Sequence, residues 1–146
     1  MPKITPFLWF DAPLDDVAAY YASIFKDFRV VSLSPLTASF EVAGQRLLAL
    51  NGGPKHPFTD AVSFMIDCDD QAEVDHYWDS LTADGGEESM CGWLKDKYGL
   101  SWQVIPHALG RYLGDPDRAK VDRVVQAMLA MRRIDIAALD EAARAG

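Results

Sequence analysis

The chain has 146 residues, of which 49% are hydrophobic and 25% are charged, a composition typical of a soluble globular domain. Its net charge of −8 argues against a nucleic-acid partner, because the chain would repel phosphates. No apolar run approaches the ~20 residues of a membrane span, and the first residues contain no apolar segment with a cleavage site. With only two cysteines, Cys68 and Cys91, we expect a reduced, cytoplasmic protein with no membrane partner.

Strand and helix patterns alternate through the first third of the chain. The apolar run at residues 4–10 predicts a strand, and Pro13 suits the first turn of a helix. The helix itself is predicted by apolar side chains at helical spacing, which are Val17, Tyr20, Tyr21 and Ile24. Strands are then predicted at residues 28–33, 36–42 and 46–50, the last two as a hairpin.

The same order of elements returns in the second third. A strand is predicted at residues 61–68, and Asp69 and Asp70 are candidate N-caps of a helix. That helix carries an apolar stripe formed by Val74, Tyr77, Trp78 and Leu81. Strands at residues 89–95 and 100–105 follow, joined by a turn at 97–99. The two halves lie about 57 residues apart, so the sequence predicts an internal repeat of pattern.

The chain from residue 115 onward is predicted to be helical. One helix presents an apolar face formed by Val121, Val124, Val125, Met128 and Leu129, and a short final helix carries Ile136, Leu139 and Ala143. These faces need a cover, either the chain's own sheet or a partner subunit. We therefore predict an α+β domain spanning residues 1–146, with one module at about 1–54, a second at about 55–106 and a helical extension at about 107–146.

Three strings resemble one protein family over nearly the whole chain. They are Ile-Thr-Pro-Phe-Leu-Trp-Phe at 4–10, Ala-Leu-Asn-Gly-Gly-Pro at 49–54 and Cys-Gly-Trp-Leu-Lys-Asp-Lys-Tyr-Gly-Leu-Ser-Trp-Gln at 91–103. These strings are similar to the PhnB-like family of the vicinal-oxygen-chelate superfamily, which includes glyoxalases, bleomycin-resistance proteins and extradiol dioxygenases. The resemblance implies two βαβββ modules forming a U-shaped mixed sheet with the helices outside. One departure is the short connection at residues 32–36, where relatives have a long loop, so we expect a more open pocket or a different lid.

The resemblance also implies where a metal ion would bind. Metal-using members place four His, Glu or Gln side chains on the concave face of the sheet, and Pro6, Leu47, Ser63 and Gln103 occupy those positions here to within one residue. Only Gln103 could ligate usefully, whereas a divalent ion needs several N or O ligands. The histidines His56, His76 and His107 have no metal-site spacing and are interpreted as unrelated surface residues. We expect no metal and no cofactor.

Strand alternation, taken with the ligand positions, predicts the lining of a concave, largely apolar pocket. The candidate lining residues are Pro6, Leu8, Leu47, Ala49, Asn51, Ser63, Met65, Trp93, Ser101 and Gln103, with the register of Trp93 left open. Ile105 should share the Gln103 face, whereas Trp102 should face the helices as a structural residue.

Other chemistry receives less support from the sequence. Many family members carry the name 3-demethylubiquinone-9 3-methyltransferase, but no glycine-rich loop for S-adenosylmethionine follows the first strand. A reactive Cys91 thiolate, activated by Lys95, stands against an inert thiol, and Cys68 is predicted to be core. Residues 96–99 favour a hairpin turn with Gly99 at positive φ over a catalytic cluster.

Two functional hypotheses therefore remain. The chain is either a metal-free protein that binds an unidentified small molecule, or an enzyme. The enzyme would be a methyltransferase, as the family name says, or a divergent glyoxalase-like or dioxygenase-like enzyme. Because modules of this superfamily commonly pair across subunits, and because the face that includes Val121 and Leu129 is strongly apolar, we also expect a homodimer.

Overall fold

The computed structural model describes residues 3–145, and the chain divides into two compact units between Phe58 and Thr59. The first unit comprises β1 (Phe7–Phe10), α1 (Leu14–Ile24), β2 (Phe28–Leu33), β3 (Thr37–Val42) and β4 (Gln45–Asn51). The second comprises β5 (Phe64–Cys68), α2 (Gln71–Thr82), β6 (Glu87–Glu88), β7 (Trp93–Lys95), β8 (Ser101–Pro106), α3 (His107–Leu113), α4 (Arg118–Leu129) and α5 (Ile136–Arg144).

The two sheets have the same topology. Each has four strands, in the order β1-β4-β3-β2 in the first unit and β5-β8-β7-β6 in the second. The first and last strands of each module pair in parallel, β1 with β4 and β5 with β8, and the remaining pairs are antiparallel. The predicted α+β fold built from two βαβββ modules is therefore confirmed.

In the second unit, α2 covers one face of its sheet. Asp70 caps the helix, since its carboxylate accepts a hydrogen bond from the Glu73 N–H at 2.9 Å. Val74, Trp78 and Leu81 are fully buried along the helix, at the spacing that the sequence indicates. The apolar stripe of α2 thus fixes which side of β8 is the packed side.

Three predicted strands differ from the structure, and one of them, predicted at residues 4–10, begins only at Phe7. Of the strand predicted at residues 89–95, only the last three residues form a strand, β7, because Cys91 and Gly92 adopt φ angles of 60° and 84°, outside the extended region. The strand predicted at residues 61–68 begins only at Phe64. A side chain at position 92 would also be too close to its neighbours, since a Cβ on Gly92 would lie 2.8 Å from the Ile105 Cδ1 atom.

The helical extension packs on the second unit. Its first helix, α3, follows β8 directly at His107, ahead of the helical pattern that the sequence shows from residue 115. A buried cluster is formed by Leu109, Val124, Ile134 and Leu139, so α3 and α5 cover part of the apolar face of α4. Leu129 stays 51% exposed. Among residues 3–145, none of the helices is long and apolar enough to cross a membrane.

Candidate functional site

The side of the second sheet turned away from α2 contains a polar pair. Alternation along β8 directs the buried Trp102 and Val104 toward α2 and places Gln103 on the other face. There the Gln103 Nε2 atom donates a hydrogen bond to the Ser63 Oγ atom at 2.9 Å. Two of the four positions where the resemblance implies metal ligands are therefore bonded to each other.

Apolar side chains flank this pair in one row across the sheet. Met65 and Trp93 are both register partners of Gln103, on opposite sides of it. Met65 is 60% exposed and Trp93 is half-buried. The row places Trp93 on the Gln103 face, which the sequence left open. We name the surface formed by Ser63, Met65, Trp93 and Gln103 the Gln103 face.

The two ends of the Gln103 face differ in polarity. At one end the Lys95 Nζ atom lies 3.1 Å from the Asp60 Oδ1 atom, which also accepts a hydrogen bond from the Ser101 hydroxyl at 3.4 Å. At the other end Ile105 packs against the helical cluster of the extension. Asp67, the register partner of Ile105, lies at the same end and contacts the His107 Nδ1 atom at 2.9 Å. One end of the face is therefore polar and charged, whereas the other combines an apolar and a charged side chain.

In the first unit, four of the candidate lining residues face α1, whereas the sequence predicted that they line the concave face. They are Leu8, Leu47, Ala49 and Asn51. Phe10 packs against Tyr21 of α1, with ring centroids 6.4 Å apart, and it is the register partner of Asn51. Leu8 on β1 and Ala49 and Leu47 on β4 lie two or four residues from this row along their strands, so they share the α1 face with it. Leu47 and Ala49 are accordingly buried, at 5% and 1% exposure. Pro6 precedes β1, and its carbonyl accepts a hydrogen bond from the Leu48 N–H at 3.0 Å.

The physical reason for the error lies in the composition of β4. Residues 47–50 are Leu-Leu-Ala-Leu, so both faces of the strand are apolar and alternation cannot distinguish them. The side turned away from α1 in fact carries Phe7, Trp9, Leu48 and Leu50. One residue in the sequence could have indicated the orientation. Phe10 lies shortly before the helix, and its side chain is one of those that face α1.

Trp9 organises the loop after β4. Its Nε1 atom donates a hydrogen bond to the Gly53 carbonyl at 2.9 Å, and its ring meets His56 edge to face at 4.7 Å between centroids. A Cβ at Gly52 would overlap the Trp9 ring. The two glycines therefore serve to pack this loop on an aromatic ring, and the loop does not begin a helix that could hold a cofactor phosphate.

A charged row also lies on the side of the first sheet turned away from α1. The Glu41 carboxylate contacts Arg29 at 2.7 Å and Arg46 at 3.1 Å. Hydrogen bonds from these two guanidinium groups hold the pKa of Glu41 below its usual value. The row consists of two ion pairs that share Glu41. Their side chains are exposed or partly exposed, so these charged groups stay in contact with water on this face of the sheet.

The residues present do not fit a divalent metal ion. Within residues 3–145, no group of three or more His, Cys, Asp or Glu side chains is arranged to hold one. His107 lies between two carboxylates, with its Nδ1 atom 2.9 Å from Asp67 and its Nε2 atom 2.7 Å from Asp69. Because a different ring nitrogen faces each carboxylate, the three groups do not converge on one point. Leu47, at one of the four implied positions, faces α1.

The two thiols occupy different environments. Cys68 is fully buried, and burial raises the pKa of its thiol to about 12, so it is protonated at neutral pH. Cys91 is half-buried in the turn between β6 and β7, where its N–H donates to the Met131 carbonyl at 2.8 Å. Lys95, considered above as its activator, is paired with Asp60.

Comparison with known proteins adds to this geometry. The sequence model of the 3-demethylubiquinone-9 3-methyltransferase family matches residues 2–105. The PhnB protein of Bacillus cereus is 28% identical, with a TM-score of 0.66 over 72% of this chain and 99% of that one. A search of curated protein sequences finds no match.

Two further solved structures share the fold. The fosfomycin resistance protein FosX of Listeria monocytogenes is 16% identical, with a TM-score of 0.55 over 73% of this chain and 90% of that one. A glyoxalase-related enzyme of Fulvimarina pelagi is 14% identical, with a TM-score of 0.51 over 72% of this chain and 88% of that one. The fold is therefore of the glyoxalase and bleomycin-resistance type.

Proposed function

The chain belongs to the 3-demethylubiquinone-9 3-methyltransferase family, and we propose that it binds a small organic molecule on its Gln103 face without using a metal ion. The observation that carries the proposal is the hydrogen bond from Gln103 to Ser63. It sets a polar pair in a row with an exposed Met65 and a half-buried Trp93. A few polar groups among apolar ones are typical of a small-molecule site.

The pair defines which ligand it suits. With its Nε2 atom bonded to Ser63, Gln103 offers its carbonyl oxygen as an acceptor, and the Ser63 hydroxyl, which accepts that bond, keeps its own O–H as a donor. Met65 and Trp93 supply apolar contact on either side. We infer a neutral ligand with a flat apolar part and a neighbouring donor and acceptor.

The alternative is that the chain is an enzyme. FosX of Listeria monocytogenes was solved with Mn(II) and sulfate, whereas the residues described here do not converge on a metal ion. For methyl transfer, the glycine-containing loop at 52–53 packs on Trp9 and lacks the strand–loop–helix form that cradles a dinucleotide-like cofactor. The geometry therefore supports binding over either reaction.

Capture of the natural ligand tests the proposal. The chain is purified from cells under native conditions, and the small molecules released on denaturation are compared by mass spectrometry with those released from Gln103→Leu. We expect one compound to accompany the wild-type chain and to fall by about tenfold or more in the variant, because one buried polar contact is lost.

Gln45→Leu is the matched control, since Gln45 is an exposed residue at the start of β4. It should retain the compound at the wild-type level. Equal loss from both variants, or no compound on any of the three proteins, would remove the support for binding at this face. Methylation of a quinol-type substrate with added S-adenosylmethionine would establish the enzyme alternative instead.

Two wider features complete the proposal. We propose a homodimer, supported by the exposed Leu113 and Leu129 on the helices of the extension, at 44% and 51% exposure. We also propose a cytoplasmic location, supported by two free cysteines in a chain that builds a core without a disulfide.

A further inference from the structure

A cleft of about 320 Å³ opens in the first unit, on the α1 side of its sheet, and its lining includes no residue of the Gln103 face. Its walls are the start of α1, the turn after β2 and the end of β4. We propose that this cleft binds a small organic cation, a protonated amine with a short alkyl group. The proposal does not depend on the ligand of the Gln103 face.

The polar groups of the cleft favour a cation. Asp15 is the one charged residue among those lining it, and Asn51, at the end of β4, also lines it. One Asp15 oxygen, Oδ1, accepts a hydrogen bond from the Asp16 N–H at 3.0 Å, which leaves Oδ2 to accept from a ligand. Asn51 shares the side of its register partner Phe10, which faces α1.

An anion has no comparable partner in the cleft. No lysine, arginine or histidine lines it. The positive end of α1 is already compensated, because Asp15 and Asp16 both lie in the first turn of that helix. An ammonium group is therefore the charge that complements the lining, and the Asn51 amide oxygen can accept a second hydrogen bond from it.

The remaining lining residues are apolar and well positioned. They are Pro13, Leu14, Leu33 and Pro35, which would contact an alkyl chain of a few carbons. The turn that carries Pro35 is held at both ends: the Ser34 N–H donates to the Thr37 carbonyl at 2.8 Å, and the Asn51 N–H donates to the Leu36 carbonyl at 3.0 Å. A cleft fixed in this way loses little entropy when it is filled.

The test uses n-butylammonium chloride as the probe and the full-length ¹⁵N-labelled chain. In two-dimensional NMR titrations at constant ionic strength, we expect saturable shifts at Leu14, Leu33 and Asn51. Asp15→Asn should bind about tenfold more weakly, because a charged hydrogen bond is lost while the Asp16 N–H keeps its acceptor. Asp16→Asn, with the same change of charge one residue away from the cleft lining, should change the affinity by less than about twofold.

Three results would overturn the proposal. The first is equal weakening by the two variants, which would mean diffuse attraction to an acidic surface. The second is equal binding of n-butyrate or n-butanol, which would remove the selectivity for a cation. The third is the absence of saturable shifts at the lining residues. Gln103→Leu should bind the probe as the wild type does, so that failure here and failure at the Gln103 face are distinguished.

Discussion

At the scale of single residues, a buried carboxylate stabilises the turn between β7 and β8. Asp96 is only 2% exposed. Its Oδ1 atom accepts hydrogen bonds from the Tyr98 and Leu100 N–H groups at 2.9 and 3.1 Å, and its Oδ2 atom accepts one from Trp102 Nε1 at 2.9 Å. With Gly99 at a φ of 84°, the segment is a hairpin turn whose acidic residue is structural.

Trp102 and Gln103 are neighbours in sequence with opposite expected roles. Trp102→Ala should lower the free energy of unfolding by about 3–5 kcal/mol, because it opens a cavity against α2 and removes a donor from Asp96. Gln103→Leu should lower it by less than about 1 kcal/mol, since it removes one hydrogen bond on a partly exposed face. Equilibrium unfolding in urea measures both values. A stable Trp102→Ala together with an unfolded Gln103→Leu would contradict the assignment of the two faces of β8.

The buried Cys68 thiol gives the stability a specific dependence on pH. Its pKa is about 12 in the folded chain against 9.0 for a free thiol, so between these values the unfolded chain loses a proton that the folded chain keeps. Stability must therefore fall as pH rises through this window. From pH 9 to 10.5 the wild type should lose about 1–2 kcal/mol more than Cys68→Ala.

Urea titrations at a series of pH values measure this difference. Cys91→Ala is the matched control, because it removes the other thiol and leaves Cys68 in place. It should show the same decline as the wild type. Parallel pH profiles for the wild type and Cys68→Ala would show that folding does not raise the pKa of the Cys68 thiol.

The residue-level predictions succeed where one face of a strand is apolar and the other polar. On β8 the sequence Ser-Trp-Gln-Val alternates clearly, and the burial of Trp102 follows it. On β4 the run Leu-Leu-Ala-Leu has no polar face, and the predicted orientation of Leu47 and Ala49 was wrong. Short apolar runs carry no periodicity, so only contacts with α1 decide their orientation.

At the scale of elements, Gln71 links α2 to the extension. Its Oε1 atom accepts a hydrogen bond from the Ile136 N–H at 2.8 Å, and its Nε2 atom donates to the Ile134 carbonyl at 3.0 Å. Arg133, the residue before Ile134, pairs with Asp75 at 3.1 Å. A side chain at the first turn of α2 therefore supplies the backbone partners at the start of α5.

Replacing Gln71 should loosen the extension more than the sheet. In Gln71→Ala we expect faster amide hydrogen exchange from Ile134 through α5, with little change in β8, and a loss of about 1–3 kcal/mol from the unpaired backbone groups. Hydrogen–deuterium exchange with mass spectrometry resolves these segments. Gln126→Ala, on the exposed side of α4, is the control and should leave the exchange pattern unchanged. Uniform acceleration across both β8 and α5 would mean that Gln71 is not a local link.

The sequence pattern located most of the elements, but it missed β6 and did not resolve α3 as a separate helix within the predicted extension. Helix α3 starts directly after Pro106, with no loop between β8 and the helix to mark the change of period. Strand β6 has two residues, both glutamate, so no apolar alternation marks it. Short elements such as α3 and β6 are stabilised mainly by packing and pairing with neighbouring elements, so their own sequences predict them poorly. Helices α1 and α2 are predicted well because each has an apolar stripe in its own sequence.

At the scale of the whole molecule, one topology is used twice with different results. The sheets share the order of strands and the parallel pairing of first with last. The extension packs on the second unit, and the Ser63–Gln103 pair is also in that unit. The repeat of pattern in the sequence thus predicts the fold, while the proposed binding site rests on individual side chains of one module.

The state of assembly is the remaining property at this scale. Part of the apolar face of α4 is covered within the chain, since Val124 is fully buried and Met128 packs on the cluster, so the sequence argument for a dimer loses those residues. What remains is exposed leucine on the extension, Leu113 and Leu129.

We expect light scattering at micromolar concentration to give about twice the chain mass of 16.2 kDa. Leu129→Glu should shift this mass toward the monomer, because a carboxylate buried in an interface without a partner is strongly unfavourable. Leu36→Glu, at a leucine in the first unit that is 60% exposed, should keep the dimer. A monomeric wild type would refute the assembly, and a dimer lost in Leu36→Glu but kept in Leu129→Glu would place its interface on the first unit instead.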